Sequence, residues 1–404
     1  MGITNLNNFI KSKFAECISE IPFKELCNKQ LLIDTPGLMY RYKYANKDDG
    51  KNWINNFIFL IFTLKSENID PIFIFDGKLN HDKKLETQQK RKKNKENLIK
   101  RTELLKNLYV DYEKNKVVSD ELLTEWKKIF PEYEYFNNKI FLENLQKRSR
   151  YQKLILEEDY TFLKKVLNVL NIKEIEESVE AETLCCYLCN YEDKELLHYV
   201  YSSDSDSLAY NGNRIVITKI DFKRKVFEVI NKKKLLSAMN MTHESFVDFC
   251  ILCGTDYNNT IPKLGIVTAY KLMSNYHSIQ DSIDILKAHV IDYIDCLKFN
   301  NEKQILNFKN FIKKCLNTED FIINDEFIKT FKNKILNDFE KLILENYLNF
   351  TWIKNNFNFL FIKNKENILN IVKKDSSLTI NKDSFFKILE EENVKLYLYI
   401  KRMI

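Results

Sequence analysis

Glycine and proline are scarce in this chain: 7 and 5 among 404 residues. A sequence that avoids glycine keeps it where the backbone needs positive φ or a close approach, so Gly2, Gly37, Gly50, Gly77, Gly212, Gly254 and Gly265 each draw attention. No apolar run approaches the length of a membrane span. Met1-Gly2-Ile3-Thr4-Asn5 opens a short amphipathic segment, with no apolar leader, so it does not read as a signal peptide. The five histidines (81, 198, 243, 277, 289) lack ligand spacing, which argues against zinc. Net charge is only +6, so a nucleic-acid partner has to be argued from local clustering. Nine cysteines, an odd number, fit reduced thiols inside a cell.

What the chain does have is short apolar runs that end in acid. Gln30–Asp34 (QLLID) and Pro71–Asp76 (PIFIFD) read as buried strands. Thr35-Pro36 reads as a helix start, with Thr as the N-cap and Pro at the first helical position. Residues 53–64 have helical pattern. Residues 176–187 begin a helix, residues 196–201 form a strand, and Asn211-Gly212-Asn213 reads as a hairpin-like turn before the strands 214–218 and 225–230. Residues 244–253 form a helix that runs into Gly254-Thr255-Asp256. Strands ending in Asp and alternating with helices predict an α/β fold with a mainly parallel central sheet. In such sheets ligands bind beyond the carboxyl ends of the strands.

The stretch SSDSDSLAY (202–210) places Asp204 and Asp206 two residues apart just after a strand. Each raises the other's pKa unless a positive charge lies between them. An Asp after a strand is ordinarily a cap or turn residue. Here Asp34, Asp76, Asp204 and Asp206 come from separate element ends yet fall at one sheet edge, with Glu180, Glu182 and Asp256 as further candidates. Hard carboxylate oxygens without histidine suit Mg²⁺ or Mn²⁺. This many acids suits a pair of ions clamping a phosphodiester.

MGITNL, LLID, IFIFDGK, VEAE, SDSDSLAY and FCILCGTDY together resemble the flap endonuclease family of structure-specific 5′ nucleases, in that family's order and over about residues 1–275. The resemblance implies a PIN-like nuclease core with a helical arch, a helix–two-turn–helix element and a helical C-terminal extension. It implies that Asp34, Asp76, Glu180 and Glu182 favour one metal ion and Asp204, Asp206 and Asp256 the other. It further implies that Gly2 lies near the active site and that Tyr40 stacks on a base beside the scissile phosphate.

Residues 83–101 carry nine basic and two acidic side chains. Charge runs are usually solvated faces. Lys83 and Lys90 are seven apart and share a helix face, and Lys83 follows Asp76 by the family's spacing for basic groups that steady the transferred phosphate. Relatives have Arg at the second position; this chain has Lys90 followed by Arg91, and either supplies the contact. Arg148, Arg150 and Lys153 are further expected phosphate contacts. Residues 256–269 resemble the family's duplex-binding hairpin, which often holds K⁺. Lys263 replaces its first glycine, Gly265 is kept, and Lys271 replaces in part the missing basic groups. Cys186-x-x-Cys189 and Cys250-x-x-Cys253 lie in apolar helical stretches and read as small buried residues rather than a zinc site.

The sequence therefore predicts a Mg²⁺-dependent phosphodiester hydrolase acting on branched or flap DNA, with RNA open to the same metal chemistry. Within the class, 5′→3′ exonuclease and junction resolvase are the alternatives; outside it, a catalytically silent DNA-binding scaffold. The expected segments are a nuclease half (1–102), a helical insertion or arch (103–150), a second nuclease half (151–280) and a helical extension (281–404) in which no sliding-clamp peptide is found. A monomer is expected, in the nucleus, or in the cytoplasm if the source is viral; the AT-rich coding bias suits a large DNA virus or an AT-rich eukaryote.

Overall fold

The computed structural model describes residues 2–45, 51–77, 119–129, 155–190, 199–297, 302–318, 321–363, 365–373 and 381–403, with scattered helical positions between 89 and 114. The chain divides into two units. The first comprises residues 1–38, 61–83 and 171–378, and the second residues 39–60, 84–170 and 379–404.

The first unit is built on one sheet. Among the described residues its strands are β1 (Ile18–Pro22), β2 (Gln30–Asp34), β3 (Asp70–Phe75), β4 (Glu174–Glu176), β5 (Tyr199–Tyr201), β6 (Ile215–Asp221) and β7 (Val226–Asn231). They lie in the order β1-β7-β6-β5-β2-β3-β4. From β6 through β4 every pairing is parallel. Such strands are covered on both faces, which explains the unbroken apolar run Pro71–Phe75, all buried. β7 runs antiparallel to both β6 and β1.

Register puts the acids together. Asp34 pairs with Ile74, so Asp76 follows just beyond the same edge. Ile33 pairs with Tyr201, and Asp204 comes three residues later.

Two local expectations change. β5 and β6 are parallel, so Asn211–Asn213 is not a hairpin turn. Between those strands the chain forms a 3₁₀ helix, Ser205–Leu208, and sends Tyr210 into the core. The hairpin lies between β6 and β7, where Arg224 donates its backbone N–H to Asp221 Oδ1 at 3.0 Å. The helix Thr35–Ala45 does start where expected, but its cap is Asp34, which accepts the Gly37 N–H. The Thr35 hydroxyl instead donates to the Ile33 carbonyl at 3.3 Å.

Helices Leu6–Lys13, Ala181–Leu188, His243–Cys253 and Ile266–Tyr276 share one hydrophobic core with helices from the motif-poor region, among them Ile283–Asp295, Glu302–Leu316, Asp325–Asn337, Phe350–Phe357 and Lys365–Lys373. In the second unit, helix Glu157–Val169 anchors Lys43 through Asp159 (2.5 Å), and buried Trp53 meets Phe57 and Phe162 edge-on. The C-terminal segment is tied in there: Lys51 pairs with Glu392 (2.5 Å), and Asn55 accepts the Tyr397 N–H (3.0 Å). No helix among the described residues is long and apolar enough to cross a membrane.

Candidate metal centre

At the carboxyl edge of the sheet, ligand atoms of Glu182, Asp204 and Asp206 lie within 4.8 Å of one another. Local structure holds each of them. Asp204 caps the 3₁₀ helix Ser205–Leu208, accepting the Asp206 N–H (3.4 Å). Its own N–H donates to Ser202 Oγ at 3.0 Å. Glu182 sits in the first turn of helix Ala181–Leu188, where the positive end of the helix dipole favours an anion. Asp76 accepts the Ala181 N–H at 2.9 Å and so ties the end of β3 to that helix start. Glu180, at the N-cap position, accepts a hydrogen bond from the Tyr257 hydroxyl. Asp34 accepts from Ser202 Oγ at 2.8 Å.

This gathering is electrostatically costly without a cation. Burial, then the charges of Asp204, Asp206, Glu180 and Asp34, push the Glu182 carboxyl well above the usual range. Burial and the neighbouring Asp76 raise Asp34 to about 7, although Ser202 and the Gly37 N–H oppose the shift. The donor set is all carboxylate oxygen and the charges are unbalanced, so hard divalent cations fit it. Glu182 gathers with Asp204 and Asp206, across the division between the two expected ion sets. A carboxylate between two groups of ligands is suited to sharing its oxygens. Asp256 is partly buried just beyond the loop that starts at Gly254.

The chain's first residues run against this edge. A Cβ on Gly2, which has φ +88, would stand 1.7 Å from Asp204 Oδ1. Ser205 Oγ donates to the Ile3 carbonyl (3.3 Å) and the Thr4 N–H to the Gly254 carbonyl (3.0 Å). Gly2 thus lies beside Asp204 and Ser205.

Two buried cations lie behind the acid loop and were not singled out from sequence. Arg214 is almost fully buried and donates to the carbonyls of Ser207 (2.9 Å), Tyr210 (2.7 Å), Cys186 (3.4 Å) and Asn211. It thus joins the loop bearing Asp206 to the helix bearing Glu182. Lys232 donates to the Tyr210 carbonyl; burial, then Arg214, lowers its pKa to about 7. Nothing in a Lys or Arg beside a strand announces such a role. The tyrosines were more accessible, since Tyr210 and Tyr257 stand inside quoted motifs.

At the hairpin, the left-handed backbone falls on Lys263 (φ 62), while Gly265 caps helix Ile266–Tyr276 with ordinary φ and open space around it. Lys263 Nζ lies over the Tyr293 ring at 5.9 Å, and Lys271 is exposed on the helix. Tyr40 lies in the second unit, its ring 5.9 Å from that of Tyr44. Lys83, Lys90, Arg91, Arg148, Arg150 and Lys153 lie outside the described residues. Both CxxC pairs are buried, and burial pushes all four thiols up.

Comparison with known proteins supplies the family. Residues 1–98 match the XPG N-terminal domain and residues 171–256 the XPG I-region. The chain is 34% identical over 306 residues to a probable RAD2-like endonuclease, 369L, of Invertebrate iridescent virus 6, covering 70% of this chain and 73% of that protein. The chain belongs to the XPG/RAD2 family of structure-specific nucleases. It is also 30% identical over 351 residues to the probable RAD2-like endonuclease 076L of Invertebrate iridescent virus 3 (78% of this chain, 87% of that one). With flap endonuclease 1 of Plasmodium falciparum it shares 25% over 379 residues (86% and 52%). The fold is that of the catalytic core of Rad2, solved with DNA substrate (TM-score 0.56, 14% identity, 97% of this chain and 95% of that one). Human GEN1, solved with Holliday junction DNA, is similar at TM-score 0.52 and 14% identity (100% and 76%). This XPG/RAD2 chain is thus a structure-specific nuclease.

Proposed function

We propose that this XPG/RAD2 nuclease hydrolyses DNA phosphodiesters near single-strand/double-strand junctions that carry a 5′ end, using two Mg²⁺ ions for which Mn²⁺ can substitute. The observation that carries the reading is the convergence of Glu182, Asp204 and Asp206, with Asp34 and Glu180 close enough to raise the pKa of Glu182 and Asp76 close enough to raise that of Asp34. Asp256 completes the proposed ligand set. Ions held there would polarise the phosphodiester and lower the pKa of an attacking water.

The chain's own groups do the rest. Ser202 and the Gly37 N–H hold the Asp34 carboxylate in place, and Tyr257 holds Glu180. Lys83, with Lys90 or Arg91, steadies charge on the transferred phosphate. Tyr40 stacks on a base beside it. Lys263, Gly265 and Lys271 meet the duplex backbone, where a K⁺ ion is accommodated. Arg148, Arg150 and Lys153 make further phosphate contacts. The enzyme acts as a monomer, in the nucleus, or in the cytoplasm if viral.

The deciding experiment is cleavage of flap, gapped, nicked and four-way DNA, with an RNA counterpart, by the unmodified chain and by Asp204→Asn. The expected result is Mg²⁺- or Mn²⁺-dependent cleavage of 5′-flap DNA, lost in the variant while DNA binding persists. No cleavage of any substrate by the unmodified chain would favour a silent scaffold, and preference for the four-way or free-ended substrates would favour resolvase or exonuclease.

A further inference from the structure

Helix Phe350–Phe357 lies in the region that carries no recognisable motif, yet it reaches the acid cluster by two separate routes. On one side the Trp352 ring packs on Tyr257 with centroids 4.8 Å apart, and Tyr257 is the residue whose hydroxyl donates to Glu180. Asn349, capping the same helix, donates to the Tyr257 carbonyl at 3.5 Å. The Phe361 ring stacks with that of Trp352 at 5.1 Å.

On the other side, buried Asn356 donates through Nδ2 to the Tyr210 hydroxyl (3.3 Å). That hydroxyl shares a 2.6 Å hydrogen bond with Thr183, the residue after Glu182. The Asn211 N–H donates to the Phe357 carbonyl at 2.8 Å, and Phe357 meets the Tyr210 ring edge-on at 5.0 Å. The helix therefore contacts two tyrosines that hydrogen-bond to the segment bearing Glu180 and Glu182. One tyrosine orients Glu180, and the other joins the loop after Asp206 to the helix bearing Glu182.

We infer that helix Phe350–Phe357 is a positioning element of the metal centre, with Trp352 and Asn356 as its positioning residues. This rests on the proposed metal-dependent nuclease reading. The physical reason is that carboxylates which repel one another spread unless their backbones are held, and groups that orient metal ligands govern metal affinity. Purely structural packing residues would affect thermal stability alone. Positioning residues shift metal affinity while leaving DNA affinity in place.

The test uses the full chain with four substitutions: Trp352→Ala, Trp352→Phe, Asn356→Leu and, as a packing control remote from the acids, Phe331→Leu. Mn²⁺ binding is measured by calorimetry, flap-DNA binding in EDTA by anisotropy, and unfolding by thermal melting. The expected result is Mn²⁺ affinity about 10-fold weaker for Trp352→Ala and Asn356→Leu. Trp352→Phe recovers most of the loss, DNA affinity stays within about twofold for all, and Phe331→Leu lowers only the melting temperature. Asn356→Leu keeps the branched four-atom side-chain shape and Trp352→Phe keeps a ring, so folded variants remain even if Trp352→Ala does not fold. Unchanged Mn²⁺ affinity in the folded variants, with normal binding by the unmodified chain, overturns the inference alone. Absence of Mn²⁺ binding by the unmodified chain overturns the nuclease reading and this inference with it.

Discussion

Asp76 Oδ1 accepts the backbone N–H of Ala181 at 2.9 Å, bridging the end of β3 and the first turn of helix Ala181–Leu188. The same carboxylate is a proposed metal ligand, so its two jobs separate by substitution. Asp76→Asn keeps a side-chain oxygen for the N–H and removes the charge. Cleavage should fall at least 100-fold while the melting temperature stays within a few degrees. Asp76→Ala should lose cleavage and also about 1 kcal/mol of stability by urea unfolding.

Two glycines make opposite forecasts. A methyl on Gly2 would collide with Asp204 Oδ1, and φ there is +88. Gly2→Ala should displace a proposed metal ligand and reduce kcat at least 10-fold. Gly265 has ordinary φ and nothing within 4 Å of a Cβ. Gly265→Ala should stay within about 0.5 kcal/mol of the parent in unfolding.

Acid-cluster titration gives a pH dependence of known sign. Asp34 titrates at about 7 when folded, above its ordinary value, because burial and Asp76 disfavour its charge. Between roughly pH 4 and 7 the metal-free folded chain binds a proton that the unfolded chain has released, so stability falls as pH rises. Glu182 shifts in the same direction. Urea midpoints in EDTA should decline across this window, and Asp34→Asn should flatten the decline. Mn²⁺, taking the place of those protons, should raise the midpoint more at pH 8 than at pH 5.

Lys83→Ala should lower kcat on flap DNA by about 100-fold with little change in DNA affinity, as expected for charge stabilisation confined to the transition state. Single-turnover kinetics with saturating enzyme measure it. An equal loss in binding would assign Lys83 to general backbone attraction instead.

Asp34 and Asp76 could be read from the sequence because each ends an apolar run that is itself conspicuous. Asp34 and Asp76 need only a parallel pairing to become neighbours, and β2 and β3 provide it. Asn211–Asn213 misled because turn chemistry is local whereas strand pairing is not. The Asn-Gly signal says the chain bends, and says nothing of the 3₁₀ helix that carries it over to a parallel partner. The left-handed residue of the hairpin could not be assigned from composition, since Lys263 takes a conformation for which glycine is the default. Trp352 and Asn356 were illegible for another reason. Helical periodicity marks which face is covered, but not which distant tyrosine the face covers.

The strand order has a consequence for synthesis. β2 lies between β3 and β5, and the residues beside Gly2 rest against a loop near Ser205. A nascent chain emerging from the ribosome holds β2 and β3 long before β5 exists, so the earliest-made segments must wait exposed for later ones. The wait favours chaperone capture, and slowing translation ahead of residue 199 should lower the yield of native enzyme.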